Sequence, residues 1–245
     1  YEILIGLVGS EMCIRDRATA LLQSPKGVFT ETCALNLLQR VPGRVYQTII
    51  EDNFEDIYYP REENRLIDTV IQNISFLNDD ERASAYYVLF QSCMIKRPFN
   101  IFHRRNLNLR TSFIKANFGN KTTWEQSFES LFVKFTQELN EFQFAVLPRV
   151  EVSNMSALHC DREADLVYID TPYFREKQSA AITYHNRYHF LEGLMHYEDI
   201  PEQINNEKVN REIKFGKNHE FEQRSHYVED LNDLLSCLLY TSDAA

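Results

Sequence analysis

The chain has 245 residues, of which 44% are hydrophobic, 25% charged and 13% aromatic, and these are the proportions of a soluble globular protein. Only 7 Gly and 7 Pro are present, which excludes collagen-like and low-complexity classes. The net charge of -10 by itself favours no polyanionic partner.

Both ends of the chain resemble translated sequencing-adapter sequence, in residues 9–17 and in residues 238–245. We therefore expect residues 1–17 and 238–245 to be non-native, and the natural protein to be cut at both ends. The alternative is that both segments are ordinary frayed termini.

Apolar residues at helical spacing predict two helices in the first third of the chain. The first runs from residue 30 to residue 41, with Thr30 as its N-cap, and Pro42-Gly43 ends it. After an irregular aromatic stretch at residues 54–60, the second helix covers residues 62–77.

Three further helices are predicted. Asn78 is the expected N-cap of a helix that has Glu81 as its capping-box partner and ends before Pro98. Residues 125–142 and residues 187–197 have the apolar spacing of the other two helices.

Two extended segments lie in the second half of the sequence. Residues 144–152 have an extended pattern, and Leu166 to Ile169 form a continuous apolar run bounded by Asp165 and Asp170. Such a run favours a strand that is buried on both faces of a parallel sheet.

Cysteine usage and hydropathy indicate the cellular setting. The five Cys are widely spaced and form no C-x-x-C pair, which argues against a disulfide framework or zinc ribbon and favours the reducing cytoplasm. No apolar stretch approaches the ~18 residues of a membrane-spanning helix, so we predict no membrane association. His185 and His189 lie four residues apart without a third ligand at a fitting spacing, so we predict no metal site.

One segment departs from the acidic average. Residues 91–124 carry a charge of +7 without any Asp or Glu, so the rest of the chain has a net charge of -17 against -10 for the whole. Because Lys and Arg neutralise phosphates, we predict that this segment binds double-stranded DNA. The alternative is a solvated basic loop that balances an acidic neighbour. The seven basic residues are Lys96, Arg97, Arg104, Arg105, Arg110, Lys115 and Lys121.

The segment that carries chemistry is residues 165–174, in which an apolar strand leads to an acidic residue, a turn with proline and an aromatic ring. This order suits methylation of an adenine amine, a weak nucleophile that has to be flipped out of the duplex and aligned. Asp170 would accept one amine hydrogen and the Thr171 carbonyl the other. Pro172 would stiffen the turn, and the base would stack on Tyr173. The segment by itself also fits an ordinary strand end with an Asp cap and a proline turn.

Residues 165–174 resemble the D-P-P-Y motif of amino-methyltransferases, and specifically of the Dam-like class of adenine-N6 DNA methyltransferases. Three other segments are similar to restriction–modification members of that class, and together they cover about residues 20–235. These segments are Tyr188 to Leu194 (the helix after the motif), Phe54 to Asp68 (the helical segment after the cofactor loop) and Lys96 to Arg105 (an R-P-F-x-x-F-H stretch).

The resemblance implies an α/β fold, with a partial Rossmann-like methyltransferase core and a largely helical DNA-recognition insertion. The mainly helical segment would be residues 18–150, including the basic region 91–124, and residues 151–237 would belong to the core. It also implies S-adenosylmethionine as cofactor, with Ser156 and Asp170 at its site. The implied reaction is transfer of the cofactor's methyl group to the N6 amine of adenine in DNA.

The sequence departs from that class at three points. Thr171 replaces the first proline of the motif, and Ser156 replaces the acidic residue of an N-x-D-A pattern. The F-x-G-x-G cofactor loop does not occur, so we expect a fragment that binds the cofactor weakly or not at all. Two alternatives stay open: a non-catalytic DNA-binding module, and an amino-methyltransferase that acts on RNA or protein.

Overall fold

The computed structural model describes residues 3–7, 12–112, 121–143, 150–154, 156–159, 167–170, 184–214, 221 and 224–240. Two strands occur in these ranges, β1 (Ile3–Leu7) and β2 (Val150–Asn154), and they pair in parallel with Ile3 opposite Val150. The other regular elements in the same ranges are helices: α1 (Met12–Leu22), α2 (Glu31–Leu37), α3 (Ile49–Asn53), α4 (Arg61–Ile74), α5 (Asp79–Ile95), α6 (Asn108–Thr111), α7 (Lys121–Trp124), α8 (Phe128–Phe142), α9 (Tyr184–Met195), α10 (Ile200–Gln203) and α11 (Tyr227–Tyr240), with short 3₁₀ turns at Pro98–Asn100, Ala157–His159 and Tyr197–Asp199.

The predicted α/β fold with a partial Rossmann-like core is wrong, because the described residues are mostly helical and the sheet that they contain has two strands, β1 and β2. The predicted strand at residues 166–169 is not formed in its described part. Val167, Tyr168 and Ile169 belong to no strand and are exposed, Tyr168 to 86%. A run of apolar residues indicates a tendency to be buried, but it does not supply the neighbouring strands that a parallel sheet requires. Leu166 lies outside the described residues.

Local signals located the N-caps of α2 and α5 correctly, but α2 ends at Leu37, before the predicted end at residue 41. The Thr30 side chain accepts a hydrogen bond from the Cys33 amide at the start of α2, and the Asn78 side chain accepts one from the Glu81 amide at the start of α5. Helices α4, α8 and α9 cover most of their predicted ranges. Helix α8 begins later than predicted, since Ser127 is its N-cap.

The hydrophobic core lies between the longer helices. Helix α5 packs against α1 and α8, and α8 also packs against α2. Aromatic rings extend this core to residue 102, in the segment that follows α5. Phe190 of α9 stacks on Phe102, with ring centroids 5.0 Å apart, and meets the ring of Phe54 edge-on at 5.1 Å. This packing fixes the position of residue 102.

Buried carboxylates join α3 to α4. Asp68 accepts hydrogen bonds from the amides of Ile50 and Glu51, at 2.8 and 2.9 Å, and from the Tyr197 hydroxyl. Burial raises the pKa of Asp68 to about 6, although these donors oppose the shift. The pKa of Glu51 is instead lowered to about 2, chiefly by hydrogen bonds from Arg65 and Arg61.

Asp68→Asn is expected to flatten the dependence of stability on pH. Since the pKa of Asp68 is about 6 in the folded protein and ordinarily 3.8, its contribution to the free energy of unfolding is full below 3.8 and is lost as pH rises through about 6. Glu51 has the opposite sign, and its contribution is lost as pH falls from 4.5 towards about 2. Urea unfolding at about pH 4 and about pH 7 measures the difference. Parallel profiles for the wild type and the variant would contradict this prediction.

Candidate nucleic-acid interface

Residues 97–105, which we name the brace loop, follow α5 and are held from the inside by Arg97. The Arg97 side chain is fully buried, and its Nη2 donates to the carbonyls of Ile101, at 3.1 Å, and Arg104, at 2.8 Å. Its guanidinium lies over the ring of Tyr58, 4.5 Å from the centroid, and over that of Phe102 at 5.3 Å. Burial lowers the pKa of Arg97 from its ordinary value. The buried Arg97 side chain therefore fixes the backbone of the loop at residues 101 and 104.

The outer side of the brace loop carries a ring and two cations. Phe99, His103, Arg104 and Arg105 are all exposed. Nε of Arg105 donates to the carbonyl of Asp56 at 2.9 Å, which directs this side chain along the surface. Partial desolvation of the ring and the charge of Arg104 lower the pKa of His103, so its imidazole is mainly neutral near pH 7. No residue of the loop itself is acidic.

Three of the cations predicted to bind DNA lie in the helical body instead. They are Arg97, Lys96 and Arg110. Glu63 of α4 lies 2.9 Å from Nζ of Lys96 and accepts two hydrogen bonds from Arg110, at 2.8 and 2.9 Å. Lys96 also donates to the Gln126 carbonyl. Because these three cations are largely buried, and two of them are paired with one carboxylate, they stabilise the packing of α4, α5 and α6 and are not at the surface where a phosphate could reach them.

The remaining predicted DNA-binding residues divide into two pairs. Arg104 and Arg105 are exposed on the brace loop. Lys115 lies outside the described residues, and Lys121 begins α7 with its side chain also outside them. Among the described side chains, the predicted DNA contact is therefore concentrated at Arg104 and Arg105.

The predicted catalytic and cofactor residues are only partly described. Asp170 is exposed, whereas Thr171, Pro172 and Tyr173 lie outside the described residues. Ser156 is half-buried, and its Oγ accepts a hydrogen bond from the Leu158 amide at 3.3 Å, at the start of a 3₁₀ turn. The roles of these residues in catalysis and cofactor binding stay predictions.

A buried polar cluster beside the brace loop was not predicted from the sequence. The Tyr58 hydroxyl lies 2.7 Å from the carbonyls of Phe102 and Asn210 and 2.9 Å from Nε2 of His189. The Ile213 amide donates to Nδ1 of His189 at 3.2 Å, so the ring proton is on Nε2, which lies 3.1 Å from the Phe102 carbonyl. The sequence gives only a weak signal for this cluster, because Tyr58 and His189 are single polar groups within aromatic and apolar stretches.

Comparison with family models, with curated proteins and with solved structures finds no match for this chain. Of the helices that the structure describes, none combines the length and the apolar character needed to cross a membrane. In the same part of the chain, no three His, Cys, Asp or Glu side chains are grouped so that they could hold a metal ion.

Proposed function

We propose that this protein binds double-stranded DNA through the brace loop, as part of an adenine-N6 DNA methyltransferase that uses S-adenosylmethionine. One observation carries the DNA binding: a loop fixed from inside by the buried Arg97 presents Arg104 and Arg105 at its surface and has no acidic residue. A loop that is already fixed loses little conformational entropy when it binds a partner.

The chemistry of the loop suits a phosphate backbone. A guanidinium presents several N–H donors in a planar fork that matches phosphate oxygens, and two such groups lie next to each other at Arg104 and Arg105. The whole chain has a net charge of -10, so its average field repels DNA and leaves the attraction to this local group. We therefore expect binding of moderate affinity that falls steeply with salt.

Methyl transfer is supported by the resemblance of residues 165–174 to the methyltransferase motif and by the exposure of Asp170. A carboxylate that accepts a hydrogen from a flipped adenine has to be within reach of a base that arrives from solvent. We place the protein in the cytoplasm, where DNA is accessible and the free thiols of Cys33, Cys93 and Cys237 stay reduced.

Changing Arg104 and Arg105 together to Ala is expected to weaken duplex binding and to reduce the slope of log Kd against log salt by about 2, roughly 1 for each phosphate that is no longer neutralised. Both side chains are exposed, so the fold should persist, and circular dichroism checks this. Fluorescence anisotropy of a labelled duplex over a series of salt concentrations measures the slope.

Lys208 and Lys214 offer a matched control for that experiment. Both are exposed, and changing them together to Ala removes two positive charges from outside the brace loop, one of them paired with Glu212 at 2.8 Å. This control should keep the wild-type slope. An unchanged slope in the Arg104/Arg105 variant would remove the brace loop from the interface, and a wild-type chain that binds no duplex would refute DNA binding altogether.

A further inference from the structure

The ring of Phe99 is exposed on a strained backbone. The φ angle is +66° at Phe99 and +57° at Asn100, in the left-handed region that residues with a side chain rarely adopt. The Phe99 side chain is 75% exposed. A large apolar side chain in this position contributes little to the core, so the strain at residue 99 has no evident benefit for the fold.

Several contacts hold this strained geometry in place. The backbone amide of Asn100 donates to the Arg97 carbonyl at 3.1 Å, and its side-chain amide, in the orientation that satisfies its neighbours, donates to the Met94 carbonyl at 3.0 Å. Pro98, which precedes the strained pair, is buried, and its ring fixes its own φ angle. Arg97 fixes the following part of the loop through the carbonyls of residues 101 and 104. The Phe99 ring is thus presented on a rigid support.

We propose that Phe99 is an aromatic wedge that enters the DNA duplex and stacks on a base while Arg104 and Arg105 bind phosphates. This inference rests on the proposed DNA binding and adds to it the residue that contacts the bases. Apolar side chains inserted at a base step unstack it, and an aromatic ring can stack on the face of any base. A ring and two cations on one fixed loop provide both kinds of contact that such a wedge needs.

Charge favours DNA over a protein as the partner of this ring. The brace loop carries arginines and no carboxylate, and its neutral His103 adds a further polar group. A polyanion with apolar base faces between its phosphates matches that combination of groups. Contact of Phe99 with another protein would leave the DNA affinity of a Phe99 variant unchanged.

The test is binding of a labelled mixed-sequence duplex that contains 2-aminopurine, by the 245-residue chain and its variants. Phe99→Ala is expected to weaken binding about tenfold and to remove the rise in 2-aminopurine fluorescence that accompanies unstacking. Phe99→Trp should keep both properties. Phe142→Ala is the matched control, because this ring is 66% exposed at the end of α8, and it should behave as the wild type.

Phe99→Gly separates the wedge from the fold, because glycine adopts a positive φ without strain. It should be more stable in urea than Phe99→Ala and should bind DNA as weakly as that variant does. Wild-type affinity in both Phe99 variants, together with weak binding by the Arg104/Arg105 variant, would overturn the wedge and leave DNA binding intact. Absence of duplex binding by the wild type would overturn DNA binding, and the wedge with it.

Discussion

Asp170→Ala is expected to abolish methyl transfer to DNA and to leave the affinity for duplex DNA nearly unchanged. In the proposed reaction, the Asp170 carboxylate accepts one hydrogen of the adenine amine and aligns the nitrogen lone pair with the methyl donor, and alanine has no acceptor for this role. In the proposed function, the affinity for DNA comes instead from Arg104 and Arg105, which are exposed on the brace loop. Asp170→Ala should therefore lose activity while it keeps its affinity for DNA.

Transfer of a tritium-labelled methyl group from S-adenosylmethionine to duplex DNA measures this activity. The assay uses a polypeptide that also supplies an F-x-G-x-G loop, since these 245 residues contain none. Asp170→Asn is the control that keeps a carbonyl acceptor without the charge, and it should retain more activity than Asp170→Ala. Near-normal turnover in Asp170→Ala would remove this motif from the active site.

Arg97→Met is expected to lower the free energy of unfolding by about 3 kcal/mol and to weaken DNA binding. Methionine fills much of the space but donates nothing to the carbonyls of Ile101 and Arg104. Each of these charge-assisted hydrogen bonds contributes about 1.5–3 kcal/mol, and relief from burying a charge offsets part of their loss. The brace loop would then no longer be held in the shape that presents Phe99 and Arg104.

Urea unfolding followed by circular dichroism measures the effect of the Arg97 change. Arg97→Lys is an informative control, because an ammonium keeps the charge and can donate to carbonyls, but it is not a planar group that lies flat over the rings of Tyr58 and Phe102. We expect it to fall between the wild type and Arg97→Met. A loss below about 0.5 kcal/mol in Arg97→Met would show that other contacts hold the loop.

Five helices, α2, α4, α5, α8 and α9, could be predicted because their signals are local, whereas α1 and α11 were not predicted. An N-cap such as Thr30 or Asn78 acts on an amide three residues later, and the apolar stripe of a helix repeats within a few residues. Strand pairing is not local. Strands β1 and β2 lie far apart in the sequence, and the apolar run at residues 167–169 has no comparable partner among the described residues.

The candidate site was predictable in location but not in detail. Charge counting pointed to residues 91–124, and the exposed arginines 104 and 105 lie there. It could not distinguish them from Lys96 and Arg110, whose partner Glu63 belongs to α4, a different part of the chain. Burial and pairing of a charge depend on tertiary contacts, and a one-dimensional charge pattern does not contain them.

The polar cluster of Tyr58, His189 and Asn210 has a consequence for the order in which the protein folds. The Tyr58 hydroxyl contacts groups that lie 44, 131 and 152 positions later in the chain. Contacts across such separations close large loops, so they form after the local helices. The brace loop, which meets this cluster at Phe102, acquires its final support only when residues 189–213 have docked. On a ribosome, the helices can form as they emerge. The surface proposed to bind DNA reaches its final structure only after residues 189–213 have been synthesised.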